Sequence, residues 1–280
     1  MNNSEQRVAL ITGCGKENGI GAATAQRLAR DGFIVAVTDV AAAGVDNDNA
    51  VARSGTSWQG LDTLVARITE AGGSAVSYTG DVSSEAGAAS LVERTLDRYG
   101  RLDVLVNNAG APHGKDRGQI ESVPLEAWEA VFAINVRGVF LMTRAAVPHM
   151  KERGYGRIVS MASVAGLEAL PERAAYCASK AAVIGMTRSL AFDLADKGIT
   201  VNCVCPGSIR TDRAISSTLR AGYADVDEGL AERAKFIPVR RHGRPEEIAA
   251  MIAYLASEDA AFTTGQAMAV DGGGLPASAF

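Results

Sequence analysis

The chain has 280 residues, of which 47% are hydrophobic and 21% charged. That is ordinary globular usage, and it excludes a disordered, collagen-like or coiled-coil chain. Lys plus Arg number 28 against 32 Asp plus Glu, a formal charge of −4, so there is no basic footprint for nucleic acid. The polar start Met1 to Arg7 leads into the short apolar run Val8 to Ile11, too brief for a signal peptide or a membrane span. A soluble cytoplasmic protein with no membrane or nucleic-acid partner is expected.

Short apolar runs then alternate with helical patterns along nearly the whole length. Val8 to Ile11 predicts a first strand, a glycine-rich segment follows, and a helix is expected over about 20–31. Ile34 to Val37 is the next strand. Residues 40–60 offer no period and read as a loop at that strand's carboxyl end. A helix over 61–71, a strand at Ser74 to Tyr78, a helix over 85–99 and a strand at Val104 to Val106 come next. The second half reads as helix 125–152, strand Ile158–Val159, helix 176–196, strand Thr200 to Val204, an irregular stretch 208–237, helix 245–256 and a last strand, Ala267 to Val270. Apolar strands separated by helices argue repeated right-handed βαβ units around a sheet buried on both faces. The expected fold is α/β: one doubly wound domain spanning 1–280, with a seven-stranded, mostly parallel sheet and helices on both faces. The four cysteines, Cys14, Cys177, Cys203 and Cys205, show no metal or redox spacing, and free thiols are expected. No metal site is expected.

The candidate chemistry lies at strand ends. After the first strand come Gly13, Gly15, Gly19 and Gly21, with Asn18 and Ile20 between the last of them and a helix behind. Such glycines let a backbone turn tightly against a pyrophosphate, which the helix N-terminus then stabilises. Alone, the segment is weak evidence and can be a mere tight turn, since the strict G-x-G-x-x-G spacing is absent. Asp39 closes the second strand, where a carboxylate can accept both hydroxyls of an adenosine ribose and repel a 2′-phosphate; an aspartate capping a turn is the plain alternative. Asp81 and Val82 after the third strand are candidates for contacting the adenine. Asn108, Ala109 and Gly110 after the fourth provide small residues beside which a cofactor can lie.

The catalytic candidate is Tyr176 with Lys180, four apart and hence on one helical face, preceded by Ser163. Most such pairs are a lysine packed along a tyrosine. The energetics favour more here: bringing a tyrosine from pKa near 10 to working pH takes about 3–4 kcal/mol. One ammonium about 4 Å away at an effective dielectric near 20 supplies about 4 kcal/mol.

Taken in order, Thr12-Gly13 through Gly19-Ile20-Gly21, Asp81, Asn107-Asn108-Ala109-Gly110, Asn135, Ser163, Tyr176-x-x-x-Lys180 and Pro206-Gly207 resemble the short-chain dehydrogenase/reductase superfamily over about residues 6–275. The resemblance implies a Rossmann fold, a nicotinamide cofactor and a homotetramer or homodimer. It implies Tyr176 as acid/base, Ser163 as the residue that polarises the substrate oxygen, and Lys180 as holder of the nicotinamide ribose. Asn135 would maintain a helix irregularity and a proton-relay water, and Pro206, Gly207, Ile209 and Thr211 would lie over the nicotinamide. The regions around His113 and Glu168 usually line the substrate pocket, although a lone loop histidine is more often solvated. The tyrosine-to-lysine gap is shorter than in the enoyl reductase branch.

Three departures stand out. Five residues separate Gly13 from Gly19 where the family usually has three, the 40–60 loop is long, and Lys16 is a cation of the kind that serves NADP-dependent relatives. The expected function is an NAD(H)-dependent oxidoreductase interconverting a secondary alcohol and a ketone, with NADP less favoured because of Asp39. An NADPH-dependent 3-oxoacyl or carbonyl reductase is the runner-up. A catalytically idle nucleotide-sensing protein is the alternative from another class. Residues 208–237 are expected to form a substrate lid.

Overall fold

The computed structural model describes residues 6–47 and 57–274. Seven strands form one sheet in the order β3-β2-β1-β4-β5-β6-β7. They are β1 Val8–Thr12, β2 Ile34–Asp39, β3 Ser74–Thr79, β4 Val104–Asn107, β5 Gly156–Met161, β6 Ile199–Pro206 and β7 Ala267–Val270. Every pairing is parallel, so the sheet is wholly rather than mostly parallel. The order reverses between β1 and β4, and the crevice outside the carboxyl ends of these strands is where such sheets bind ligands.

Burial on both faces explains the continuous apolar strands. Along β1, Ala9 and Ile11 face one layer, formed with α1 Ile20–Arg30, α2 Leu61–Glu70 and α9 Pro245–Ala256. Leu10 faces the other, formed with α3 Glu85–Tyr99, α5 Val139–Arg153 and the end of α6 Ala174–Leu194. Side chains two apart on a strand share a face, so both layers are filled from the same short runs. Ser84 caps α3, its hydroxyl accepting from Gly87 N at 2.9 Å, and Gly100 ends that helix in the left-handed region.

The structure corrects two sequence expectations. The helix expected over 125–152 is broken into α4 Leu125–Phe132 and α5 by a π-turn over Ala133–Gly138. The 208–237 stretch, where the sequence gives only weak helical signals between glycine- and aspartate-rich breaks, holds two short helices, α7 Asp212–Arg220 and α8 Val226–Ala234. Leu125–Arg153 is long and apolar enough to cross a membrane by length and composition. Here Val131, Leu141, Met142, Ala146 and Met150 of that span are buried in the protein core. All four cysteines are free thiols.

Candidate active site

The glycine segment is held from two sides. Asn108 at the end of β4 donates from Nδ2 to Thr12 O at 2.8 Å and to Gly13 O at 2.9 Å. Thr12 Oγ1 in turn accepts from the backbone of Asn108 and Ala109 at 3.1 and 3.0 Å. These bonds fasten β1 to β4 across the switch point. A Cβ on Gly21 would sit 2.3 Å from Gly13 O, so no side chain fits where α1 meets the segment. The two extra residues are absorbed by a turn in which Gly19 N donates to Lys16 O at 3.1 Å. Cys14 folds inward, its N–H donating to Thr38 O at 2.9 Å. At its start α1 has Gly19 as cap, no side-chain cap and no acid in the first turn. Its first N–H groups are left for an anion, and this end fits the pyrophosphate of a dinucleotide.

Asp39 stands beside this segment. Its Oδ2 accepts from Gly15 N at 2.9 Å and its Oδ1 from Val40 N at 2.8 Å. Burial pushes its carboxyl above the ordinary value, partly countered by N–H donors of Gly15 and Val40, the charge of Lys16 and the Ala41 N–H. A carboxylate has about four acceptor positions, so Asp39 keeps capacity for a ribose hydroxyl.

Sequence patterning missed how the 40–60 loop is anchored. Residues 41–44 turn back over the segment so closely that a Cβ on Gly15 would meet Gly44 N at 2.3 Å. Trp58 Nε1 donates to Gly15 O at 2.8 Å, and Arg67 stacks over that indole at 5.0 Å. Lys16 pairs with Asp46, and Asn47 Oδ1 accepts from His113 N at 2.8 Å. The loop thus crosses from the end of β2 to the segment after β4; residues 48–56 lie outside the described residues.

The remaining cofactor candidates fall along the same crevice. Asp81 is turned locally, its Oδ1 accepting from Ser83 N and Oγ at 2.8 and 2.7 Å. Val82 packs against Gly138 of the π-turn. Gly110 is exposed at the mouth, with Asn135 Oδ1 3.6 Å and Arg213 Nη2 3.8 Å from where its Cβ would be. After β6, Gly207 N donates to Val270 O at 3.1 Å. Ile209 bridges to Gly243, and Thr211 precedes α7 as its cap.

Tyr176 lies on the first turn of α6 at the centre of four polar groups. Lys180 Nζ is 5.8 Å from its ring centre and donates to Met161 O at 2.7 Å, which fixes the ammonium at the end of β5. Ser163 is buried; its Oγ accepts from Ala165 N at 3.2 Å, and its hydroxyl lies near enough to Tyr176 to help lower its pKa. The guanidinium groups of Arg117 and Arg213 lie 5.5 and 5.8 Å from the ring centre. Burial pushes the Tyr176 hydroxyl up, while Lys180, Arg213, the Ser163 hydroxyl and Arg117 pull it down. The pull prevails, so its pKa lies below the ordinary tyrosine value. Burial likewise lowers Lys180, against the raising influence of Tyr176.

Asn135 sits inside the π-turn. Its Oδ1 accepts from Ala111 N at 2.8 Å and its Nδ2 donates to Ser179 Oγ at 2.9 Å. Ser179 Oγ donates onward to Tyr176 O at 2.8 Å. The extra backbone residue of the π-turn turns Asn135 inward, where it ties the segment after β4 to the start of α6. His113 is buried, contrary to the solvated reading. Burial and then Arg213, Arg117, Arg220 and Arg173 push its pKa down to about 2, so its ring is neutral. It serves as a junction, with Ser217 Oγ 3.4 Å from Nδ1 and Asn47 on its backbone. Arg117 and Arg213 carried no signal in the sequence: each sits alone in an irregular stretch or a short helix, far from Tyr176 along the chain.

A doubly wound parallel sheet with a glycine turn at its switch point and a tyrosine–lysine pair one crevice away defines a dinucleotide-dependent oxidoreductase. The family whose model matches residues 13–274 is described as Enoyl-(Acyl carrier protein) reductase. A 3-oxoacyl-[acyl-carrier-protein] reductase of Synechocystis is 40% identical over 268 residues, covering 95% of this chain and 96% of that protein. Among solved structures, levodione reductase superposes with a TM-score of 0.85 at 33% identity, covering 95% of this chain and 96% of that one. A single-substitution variant of actinorhodin polyketide ketoreductase with NADPH gives 0.83 at 36%, covering 98% of each chain. The chain belongs to the short-chain dehydrogenase/reductase superfamily. It is an oxidoreductase of that family, acting on a CH–OH group with a nucleotide cofactor.

Proposed function

We propose that the protein is an NAD(H)-dependent dehydrogenase interconverting a secondary alcohol and a ketone, with Tyr176 as acid/base. The observation that carries this reading is the gathering of Lys180, Arg117 and Arg213 at 5.8, 5.5 and 5.8 Å from the Tyr176 ring centre, whose charges draw its hydroxyl below the ordinary pKa despite its burial. A bound nicotinamide would supply the hydride chemistry at the substrate carbon. Tyr176 takes the alcohol proton in oxidation and returns it to the carbonyl oxygen in reduction. Ser163 donates to that oxygen and orients it. Lys180 would hold the nicotinamide ribose and, anchored on Met161 O, favours the tyrosinate. Asn135 keeps the α6 turn and the segment after β4 in register.

NAD rather than NADP follows from charge at the adenosine end. A 2′-phosphate about 4 Å from the Asp39 carboxylate would meet a repulsion approaching ~4 kcal/mol, reduced by exposure and salt. Lys16 opposes this weakly, because it is paired with Asp46 and an exposed ammonium returns about 1 kcal/mol or less. Gly13, Asn18, Gly19, Ile20 and Gly21 would take the pyrophosphate, Asp81 and Val82 the adenine, and Asn108 to Gly110 with Pro206, Gly207, Ile209 and Thr211 the nicotinamide end. An NADPH-dependent 3-oxoacyl or carbonyl reductase is the second reading, favoured by the names of two relatives. Residues 208–237 would act as a lid. The protein would work in the cytoplasm as a homotetramer or homodimer through α5 and α6, where Phe140 and Phe192 are exposed.

A panel of secondary alcohols and ketones with NAD(H) and NADP(H), followed at 340 nm, tests the reading. Turnover with a preference for NAD(H) supports it. Turnover with NADP(H) at equal or better efficiency favours the second reading, and no turnover with any pair overturns both.

A further inference from the structure

Two guanidinium groups converge on Tyr176 from segments far apart in the chain: Arg117 after β4 at 5.5 Å and Arg213 of α7 at 5.8 Å. Arg117 is the more telling. Its side chain is only 8% exposed, and its Nε is buried with no hydrogen-bond partner. Among the described residues its one ion-pair partner is Asp116, with Oδ2 4.0 Å from Nε. A guanidinium has five donors, and burying them unpaired is costly. Arg213 donates from Nη2 to Ala111 O at 2.6 Å, which draws it across the crevice beside Gly110 and Asn135.

The charges around the ring do not balance. Arg117, Arg213 and Lys180 face it, and Asp116 beside Arg117 offsets one of them, which leaves a surplus of positive charge. His113 is neutral and adds nothing, while Arg173 and Arg220 nearby add further positive potential. Burial, Arg173 and Arg213 together bring Arg117 down to about 10, with Asp116 pulling the other way. Both arginines also lower the Tyr176 pKa, after Lys180, but that role leaves the buried Nε of Arg117 without a hydrogen-bond partner. A carboxylate suits the leftover charge, and a guanidinium fork binds it in bidentate fashion.

We propose that the substrate is a hydroxy acid or keto acid whose carboxylate is held by Arg117 and Arg213 while its hydroxyl or carbonyl meets Tyr176. This rests on Tyr176 being the acid/base of an alcohol–ketone enzyme. The arginines make the site complete only when an anion arrives with the substrate.

The test uses 3- and 4-oxocyclohexanecarboxylate, their methyl esters and cyclohexanone as probes with the reduced cofactor that the wild type accepts. At least one acid should exceed its ester in kcat/KM by about tenfold or more. Arg117→Gln and Arg213→Gln should raise KM for the acid and bring the acid-to-ester ratio towards one, with Arg117→Lys retaining part of it. Calorimetric titration of cyclohexanecarboxylate into wild type and Arg117→Gln gives a readout independent of turnover. Acids no better than esters in an active wild type overturn the proposal. So do variants that lose acid and ester alike with a displaced pH profile, because the arginines would then act on Tyr176 alone. If nothing is turned over, Arg117-dependent carboxylate binding upholds the anion site while the dehydrogenase reading fails. Absence of such binding removes the anion site as well.

Discussion

The cofactor half of the crevice and the substrate half are built from different materials. Around β1, β2 and the start of α1, contacts are made by backbone groups and small residues: Gly13 against Ala109, Gly21 against Gly13 O, Asn108 on two carbonyls. Around Tyr176 they are made by long cations from the 111–119 segment, α6 and α7. The first half serves a constant shape, in which close backbone approach demands glycine at Gly13, Gly15 and Gly21 and is readable even though the spacing departs from the usual. In the second half Tyr176 and Lys180 keep a readable spacing of four, whereas Arg117 and Arg213 come from segments that obey no spacing rule.

The largest effect should come from the point where the halves meet. Tyr176→Phe keeps the ring, so folding and NADH binding should survive, and kcat should fall by about 10² or more. Stopped-flow fluorescence with NADH and steady-state rates check both parts. Asp39→Ser probes the cofactor half alone. It removes a repulsion and a ribose acceptor together, so the NAD-to-NADP ratio of kcat/KM should narrow from about 5- to 150-fold towards one. Arginine variants in the substrate half should leave that ratio in place.

Gly21→Ala should cost about 1–3 kcal/mol of stability and weaken cofactor binding, because its Cβ would sit 2.3 Å from a backbone oxygen. Thermal unfolding with and without NADH measures it. The smallest effect is dynamic. If residues 208–237 close over ligands, hydrogen exchange across α7 and α8 should slow when cofactor and a substrate analogue are added together. Equal protection would make those helices a static part of the fold.

These regions also differ in how far the sequence revealed them. The strands were readable because parallel strands buried on both faces are continuous apolar runs, as in Val8–Thr12 and Ile199–Pro206. Tyr176, Lys180, Ser163 and Asn135 could be named because their spacing matches a known pattern, and they converge on one site here. The π-turn at Ala133–Gly138 left no trace in periodicity, since one extra residue per turn only shifts the apolar face. The 40–47 turn was hidden for another reason. Its place over Gly15 depends on Trp58, Asp46 and Asn47, single side chains reaching partners far along the chain. His113 looked solvated because nothing local shows that α7 covers it.

Under the proposed function Tyr176 moves the proton with its pKa held down by neighbouring cations, and the pH dependence of kcat/KM for alcohol oxidation reports on that hydroxyl. Oxidation needs the tyrosinate, so the rate should climb with pH and level off at a pKa below 10, the ordinary tyrosine value. In Lys180→Met the limb should move to higher pH, because the first of the lowering charges is gone while burial still pushes upward. A limb that stays in place in Lys180→Met, or persists unchanged in Tyr176→Phe, would contradict the account.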